Sequence, residues 1–460
     1  MSEQGVPSSF RDPSGSLFVR DGVLYRRVNR VYQEHYDHLM RSGLYDALVQ
    51  AGLLVPHEEV DLELTEPGVY RVIKPEPIAF ISYPYEWCFS QLQDAALATL
   101  AIQETALDHG MCLKDASAYN IQFRSGKPTL IDTLSFERYQ PGRPWVAYRQ
   151  FCQHFLAPLA LMAYADARLG QLLRVHIDGI PLDLASRLLP RRSRLSPSLY
   201  VHLHLHARVQ QRFAERTVDT KRRQVSPAAL RGLVGMLKSL VGRLKWKPGG
   251  TAWSDYYHQT NYSPEAARDK RRLVEAFVDA VAPKTVWDLG ANVGLYSRIA
   301  SDRGIRTIAF DADPAAVEKN YLQCREAGEA NLLPLVLDLT NPSPAIGWAN
   351  EERMSLSARG PADLVLALAL AHHLAIGNNV PFASIARFLA SVCEALIIEF
   401  VPKSDSQVQR MLASREDVFA DYGVEAFERG FGAHFAIASC QPIAASTRVL
   451  YLMRRRERAA

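Results

Sequence analysis

Apolar residues recur along this chain with two rhythms, and the rhythm changes near the middle. From Leu17 to Val28 the pattern predicts two short strands around the turn Asp21-Gly22, followed by helical spacing from Val31 to about Ala51. Val69–Ile73 and Ile78–Tyr83 read as two more strands, interrupted by Pro75 and Pro77. Gln91 to His109 predicts a long helix, ended by Gly110. Two short apolar runs, Ile121–Phe123 and Thr129–Ile131, flank the turn Ser125-Gly126-Lys127-Pro128. The stretch from Trp145 to about Leu244 reads as mostly helical.

The run Lys247-Pro248-Gly249-Gly250-Thr251 is a breaker that neither helix nor strand would carry through. Beyond it, strand-like runs at Thr285–Leu289, Thr307–Phe310, Leu333–Leu337, Leu364–Ala369 and Ala395–Phe400 alternate with helical patterns. That alternation predicts a parallel sheet with helices on both faces. Ala436–Ile443 and Thr447–Met453 are joined by too few residues for a helical crossover, so an antiparallel hairpin is expected. The expected fold is α/β: a Rossmann-like, mostly parallel sheet with an antiparallel terminal hairpin, preceded by an α+β domain. The expected divisions are a flexible start at 1–15, the α+β domain at 16–246, a linker at 247–252 and the second domain at 253–460.

Composition changes this picture little. The length of 460 residues suits two domains, and 48% hydrophobic with 22% charged residues suits sizeable cores. A net charge of +4 implies no strong pull toward nucleic acid or membrane. Basic residues crowd 187–247, including Arg191, Arg192, Arg194, Lys221, Arg222, Arg223, Lys245 and Lys247. A solvated helical face is the plainer reading there, and a nucleic acid or other anionic partner the alternative. The six cysteines form no C-x-x-C pair, which argues against zinc and against a disulfide framework, so no metal is expected. The first residues lack a signal-peptide pattern and no apolar run is long enough to span a bilayer, so a cytoplasmic protein is expected.

The chemistry gathers at strand ends of the second domain. Thr285–Leu289 runs into Asp288-Leu289-Gly290-Ala291-Asn292-Val293-Gly294, where Gly290 and Gly294 permit a sharp turn and a close ligand approach. A tight turn without a ligand would carry the same glycines. Asp311 ends the next strand, where a carboxylate can accept from both hydroxyls of a ribose, and Asp338 ends the third, placed to accept from an adenine amine. His372 and His373 follow the fourth strand, and Glu399 ends the fifth, where it could orient an acceptor or, the plainer reading, bond a backbone amide. Trp253, Tyr256, Tyr257 and Tyr262 form an aromatic cluster ahead of the first helix, either packing or facing a cation.

At these residues the chain resembles the class I, seven-stranded methyltransferases that use S-adenosylmethionine. The resemblance covers nearly everything after Trp253, with Asn292 in place of a common glycine. It implies that Asp288, Gly290, Asn292 and Gly294 lie against the methionine part of the cofactor, Asp311 at its ribose and Asp338 at its adenine, with Tyr257 alongside. The sulfonium activates the methyl group, so the protein mainly has to hold a nucleophile in line. His372 or His373 is the natural general base for a hydroxyl acceptor, or else one of them packs or caps. A dinucleotide-binding dehydrogenase is the rival, but its third glycine would fall at Ser297 and a terminal hairpin would be unexpected.

In the first domain, Asp115, Asn120 and Asp132 are spaced to converge on a phosphoryl group and its magnesium ions. This resembles the catalytic loop and metal acid of protein kinase-like and aminoglycoside phosphotransferase-like folds. Departures are Leu113 where histidine is usual, Thr133-Leu134 after the metal acid, and no glycine-rich phosphate loop. Lys74 lies too close to Asp115 to be the nucleotide lysine, which points to Arg26 or Arg27, with Glu34 on the next helix. A kinase-like scaffold with lost or altered phosphotransfer is therefore expected. His202, His204 and His206 alternate with leucines; a metal reading would need a strand, and the basic helical surroundings make a solvated face the expectation. The joint architecture resembles bacterial methyltransferase-like proteins, some linked to nodulation. Methyl transfer to an unidentified acceptor is the expected activity, with a two-activity enzyme or a cofactor-holding scaffold as alternatives.

Overall fold

In the computed structural model, which describes residues 3–62, 67–208, 225–248, 262–413 and 417–456, the chain divides into two units. Unit 1 is Met1–Lys247 together with Ala345–Arg353, and unit 2 is Pro248–Pro344 together with Met354–Ala460.

Unit 1 begins with an antiparallel sheet of β1 (Glu3–Gly5), β2 (Leu17–Arg20), β3 (Val23–Asn29), β4 (His57–Val60) and β5 (Val69–Pro75), in the order β1-β2-β3-β5-β4. Asp21 and Gly22 both take positive φ, the conformation a two-residue hairpin turn requires. β1 falls within the segment read as a flexible start. The single helix expected over 31–51 is two, Gln33–Arg41 and Leu44–Gln50, because Gly43 adopts φ 80 between them. The strand expected at Ile78–Tyr83 is absent. Amides there are satisfied by side chains, Ser82 donating to Gln122 Oε1 at 2.8 Å and Tyr83 to Glu86 Oε2 at 2.9 Å.

The buried helix Phe89–Asp108 leads to β6 (Met111–Leu113), β7 (Ile121–Arg124), β8 (Lys127–Leu130) and β9 (Phe136–Arg138). β6 pairs with β9 and β7 with β8. The described remainder is helical, with π-wound stretches at Cys152–Leu156 and Tyr200–Leu205. The solvated face expected for His202, His204 and His206 is overturned for two of them: His204 is buried between Ser186 Oγ at 2.8 Å and Ser193 Oγ at 2.9 Å, and His202 is buried against the Tyr148 hydroxyl at 2.8 Å.

Unit 2 is built on β10 (Thr285–Leu289), β11 (Arg306–Asp311), β12 (Leu332–Val336), β13 (Ala362–Ala367), β14 (Cys393–Phe400), β15 (Phe435–Pro442) and β16 (Val449–Arg455). Their order is β12-β11-β10-β13-β14-β16-β15. The first five are parallel, while β16 runs antiparallel to both β14 and β15. Val286, Leu364, Leu366, Ala395 and Ile397 pack with Val274 and Phe277 of the helix Pro264–Val281, which explains why the strands read as continuous apolar runs. Strand order reverses between β10 and β13, and the crevice of an open α/β sheet lies at such a point, outside the carboxyl ends.

Candidate functional site

Three consecutive strands deliver their acids to the same edge of unit 2. β10 and β11 run in register, Leu289 beside Phe310, and the amides of Gly290 and Ala291 both donate to the Phe310 carbonyl at 2.9 Å. β11 and β12 continue that edge, with Leu337 N donating to Asp311 O at 2.8 Å. The turn, Asp311 and Asp338 are thus contiguous.

The turn is made by three left-handed residues, Gly290 at φ 79, Asn292 at φ 51 and Gly294 at φ 78. Asparagine is among the few non-glycine residues that enter this region readily. Its amide donates to Asp311 Oδ2 at 2.7 Å, and Asp313 N donates to Oδ1 at 2.9 Å. The carboxylate is therefore aimed by backbone while the residue stays half-buried. A β-carbon at Gly290 would meet Leu370 Cδ1 at 3.3 Å. At Gly294 it would stand 2.6 Å from the Asn320 amide and 2.7 Å from Arg298 Nη1, so this glycine is required by packing inside the protein.

Asp288 is buried and accepts from Ser297 Oγ at 2.6 Å. Burial raises its pKa to about 7 despite that bond, with Asp311 adding repulsion. Burial likewise raises Asp311 to about 6 against its backbone donors. Asp338 is exposed, and its Oδ1 is organised by the Thr340 amide at 2.8 Å and hydroxyl at 2.7 Å. The donor set fits a nucleoside bearing positive charge: a close-approach turn, an aimed half-buried carboxylate and an exposed one beyond it.

After β13 the rings of His372 and His373 lie 4.1 Å apart, centre to centre, and tilted by 39°. His372 is buried and its Nδ1 has no hydrogen-bond partner among the described residues, whereas His373 is half-buried. Burial, then the neighbouring His373, holds His372 well below the usual imidazole range; burial and Arg448 bring His373 to about 4. Both are neutral at physiological pH. Tyr257, with Trp253 and Tyr256, lies outside the described residues.

Glu399 and Tyr262, each singled out from the sequence, meet in a buried charge cluster of the same unit whose cations, Lys270 and Arg448, the sequence reading missed. Glu399 accepts from Lys270 at 2.7 Å, from the Tyr262 hydroxyl and from Arg448 at 3.4 Å, and Arg448 also donates to Asp405 at 2.8 Å. Burial would raise the Glu399 carboxyl, but Lys270 and Arg448 hold it at about 2. The Tyr262 ring faces these two cations, 4.8 Å from Lys270 Nζ and 4.4 Å from the Arg448 guanidinium. One signal was legible: Lys270 shares the apolar helix face of Ala266, Leu273, Val274 and Phe277.

In unit 1, Asp115, Asn120 and Asp132 do converge. Asp115 Oδ1 accepts from Ser117 N at 2.9 Å and Gln150 Nε2 at 2.8 Å, and the Asn120 side chain bonds it as well. Burial and the nearby Asp132 raise its pKa. Asp132 is taken up internally: Oδ1 by Leu134 N at 2.9 Å and Arg26 Nη1 at 2.8 Å, Oδ2 by Ser135 Oγ at 2.8 Å. Arg26 also bridges to Asp12 at 3.0 Å. Arg27 pairs instead with Glu3, and Glu34 with Arg138. Among the described residues no cluster of three or more His, Cys, Asp or Glu could hold a metal ion. Both oxygens of Asp132 and Oδ1 of Asp115 are thus taken up by the protein's own donors.

Sheet order and turn together define unit 2 as a Rossmann-like α/β domain with a mixed, mostly parallel sheet. Across 464 aligned residues the chain is 37% identical to nodulation protein NoeA of Rhizobium meliloti (strain 1021), spanning 98% of this chain and 96% of that one. It belongs to the NoeA family. No protein-family model matches the chain. Among solved structures, magnesium protoporphyrin IX methyltransferase of Synechocystis PCC 6803 with bound SAH aligns at 17% identity, over 44% of this chain and 92% of that one, with a TM-score of 0.33. The N-methyltransferase NodS of Bradyrhizobium japonicum WM9 aligns at 12% identity, over 42% and 99%, with a TM-score of 0.31. WbdD aligns at 15% identity, over 47% and 46%, with a TM-score of 0.31. Scores this low leave ligand and chemistry to the residues of the chain itself.

Proposed function

We propose that unit 2 binds S-adenosylmethionine and catalyses methyl transfer to an acceptor that its sequence does not name. The observation carrying this reading is the Asp311 carboxylate, fixed by two backbone amides at the carboxyl edge beside the glycine turn. In this reading Asp311 holds the ribose hydroxyls, Asp338 the adenine amine, and Asp288 with the Gly290–Gly294 turn lies along the methionine part. The cofactor brings an activated methyl group. The chain contributes orientation and exclusion of water. Of the two histidines, half-buried His373 is the one able to meet an acceptor and take a proton at a ring nitrogen, while His372 packs behind it.

Unit 1 serves, in this proposal, as a kinase-like scaffold or acceptor-recognition module without phosphotransfer, because Arg26 and local donors occupy Asp132. Five buried free thiols suit a reducing compartment, and we place the protein in the cytoplasm. No helix among the described residues is long and apolar enough to cross a membrane.

Titration calorimetry with S-adenosylmethionine and S-adenosylhomocysteine tests the reading. Both should bind the wild type, and both should weaken in Asp311→Ala by about 1–3 kcal/mol, the usual worth of hydrogen bonds to a charged group. No binding to the wild type would refute the cofactor; equal binding to the variant would refute the ribose assignment.

A further inference from the structure

Two buried cations and two buried anions meet in unit 2, and methyl transfer itself calls for none of them. Glu399, fully buried at the end of β14, takes hydrogen bonds from four places: the Tyr262 hydroxyl, Lys270 Nζ, Arg448 Nη1 and the backbone amide of Ala369. For stability alone such a cluster is a poor choice, since well-packed apolar residues often serve as well or better. An apolar side chain could not accept the amide of Ala369, which donates to Glu399 Oε2 at 2.8 Å.

That amide sits at a demanding point. Ala369 adopts φ 49, a left-handed conformation that alanine enters only when its surroundings impose it. It leads directly to Leu370, the side chain that approaches Gly290, and then to His372 and His373. On the other side, Lys270 Nζ lies 4.6 Å from the centre of the Tyr296 ring, and the next residue, Ser297, donates to Asp288. The cluster therefore reaches both sides of the switch point: the post-β13 loop through Glu399, and, through Lys270, Tyr296 just after the glycine turn.

We propose that Glu399 is a positioning residue for the cofactor site: its carboxylate, oriented by Lys270 and Arg448, holds Ala369 in its left-handed turn and so presses Leu370 against Gly290. The inference rests on the cofactor reading above. Acting through Leu370, Glu399 sets the shape of the pocket without touching the ligand.

Two double variants separate this role from simple stabilisation. Glu399→Gln with Lys270→Met removes one charge of each sign but keeps an oxygen for Ala369. Glu399→Leu with Lys270→Met removes the same charges and the oxygen. Near-UV circular dichroism monitors folding and calorimetry the affinity for S-adenosylhomocysteine. The Gln pair should bind within about threefold of wild type and the Leu pair at least about tenfold more weakly, the scale set by one lost buried hydrogen bond. A folded Leu pair with wild-type affinity overturns the proposal. Should the Leu pair fail to fold, hydrogen exchange on the unaltered protein decides: the Ala369 amide should exchange far below its intrinsic rate and slow further with S-adenosylhomocysteine, and exchange at the intrinsic rate overturns the proposal. A wild type that binds no S-adenosylhomocysteine removes the cofactor reading itself, a different result from a binding wild type whose Leu pair binds equally well.

Discussion

Asp288 and Asp311 are carboxyls whose burial opposes ionisation, at about 7 and about 6. Each binds a proton in the folded state at pH values where the unfolded chain has released it. Their contribution to stability is therefore complete below the ordinary carboxylate value near 4 and is lost as pH rises through 6 to 7. Relative to Asp288→Asn, the unliganded wild type should lose melting temperature across that window; parallel profiles would remove the buried-acid account. Ligand binding should show the reverse trend. A sulfonium-bearing ligand favours ionised acids, so S-adenosylmethionine should gain more affinity than S-adenosylhomocysteine between pH 5.5 and 7.5, at roughly the level expected for one added charge near a carboxylate. Gly294 makes a second residue-scale case. With φ 78 and Asn320 filling the space of a β-carbon, Gly294→Ala should cost on the order of 1–3 kcal/mol in denaturant unfolding. The positions of Asp311, Asp338 and the glycine turn at strand ends were legible because strand periodicity and turn chemistry act over a few residues.

Among elements, those with clear periods matched the sequence reading, and each exception has an identifiable cause. One helix became two at Gly43, since a left-handed residue ends the hydrogen-bond ladder. The run Ile78–Tyr83 looked like a strand, yet Gln122 and Glu86 side chains satisfy amides that a neighbouring strand would have needed. β6 and β9 have three residues each, too few for any period to register. The helix Val424–Gly432 covers the reversed edge of the unit 2 sheet through Phe427, which packs on Phe382, Phe400, Phe431 and Tyr451. Phe427→Ala should destabilise unit 2 by about 3–5 kcal/mol in urea unfolding, the cost of emptying a fully buried ring site. A loss below about 1 kcal/mol would show that this helix is dispensable to the core.

At the scale of the whole molecule, unit 1 includes a distant stretch, Ala345–Arg353, that lies between β12 and β13 in sequence. Within unit 1, Glu352 pairs with Arg11, and the Arg353 guanidinium lies 4.7 Å from the centre of the Tyr119 ring. Nothing in the polar run around Trp348 announces this, because the partners are hundreds of residues away. Arg26 is a similar case: counting elements suggested its place, but only folding shows its guanidinium on Asp132 and Asp12. Calorimetry with magnesium and ATP should accordingly give no binding to the wild type. Magnesium-dependent ATP binding that disappears in Asp132→Ala would overturn the scaffold reading of unit 1. By itself the sequence determined the alternating strands and helices, the closing hairpin and the acids and glycines at strand ends, because periodicity and turn chemistry act over a few residues. The tertiary structure alone decided which acids stay available and which are consumed by the protein's own cations: Asp311 is aimed by backbone, whereas Asp132 and Glu399 are paired across long separations by Arg26, Lys270 and Arg448. Desolvation and ion pairing depend on what packs alongside, which no local pattern encodes.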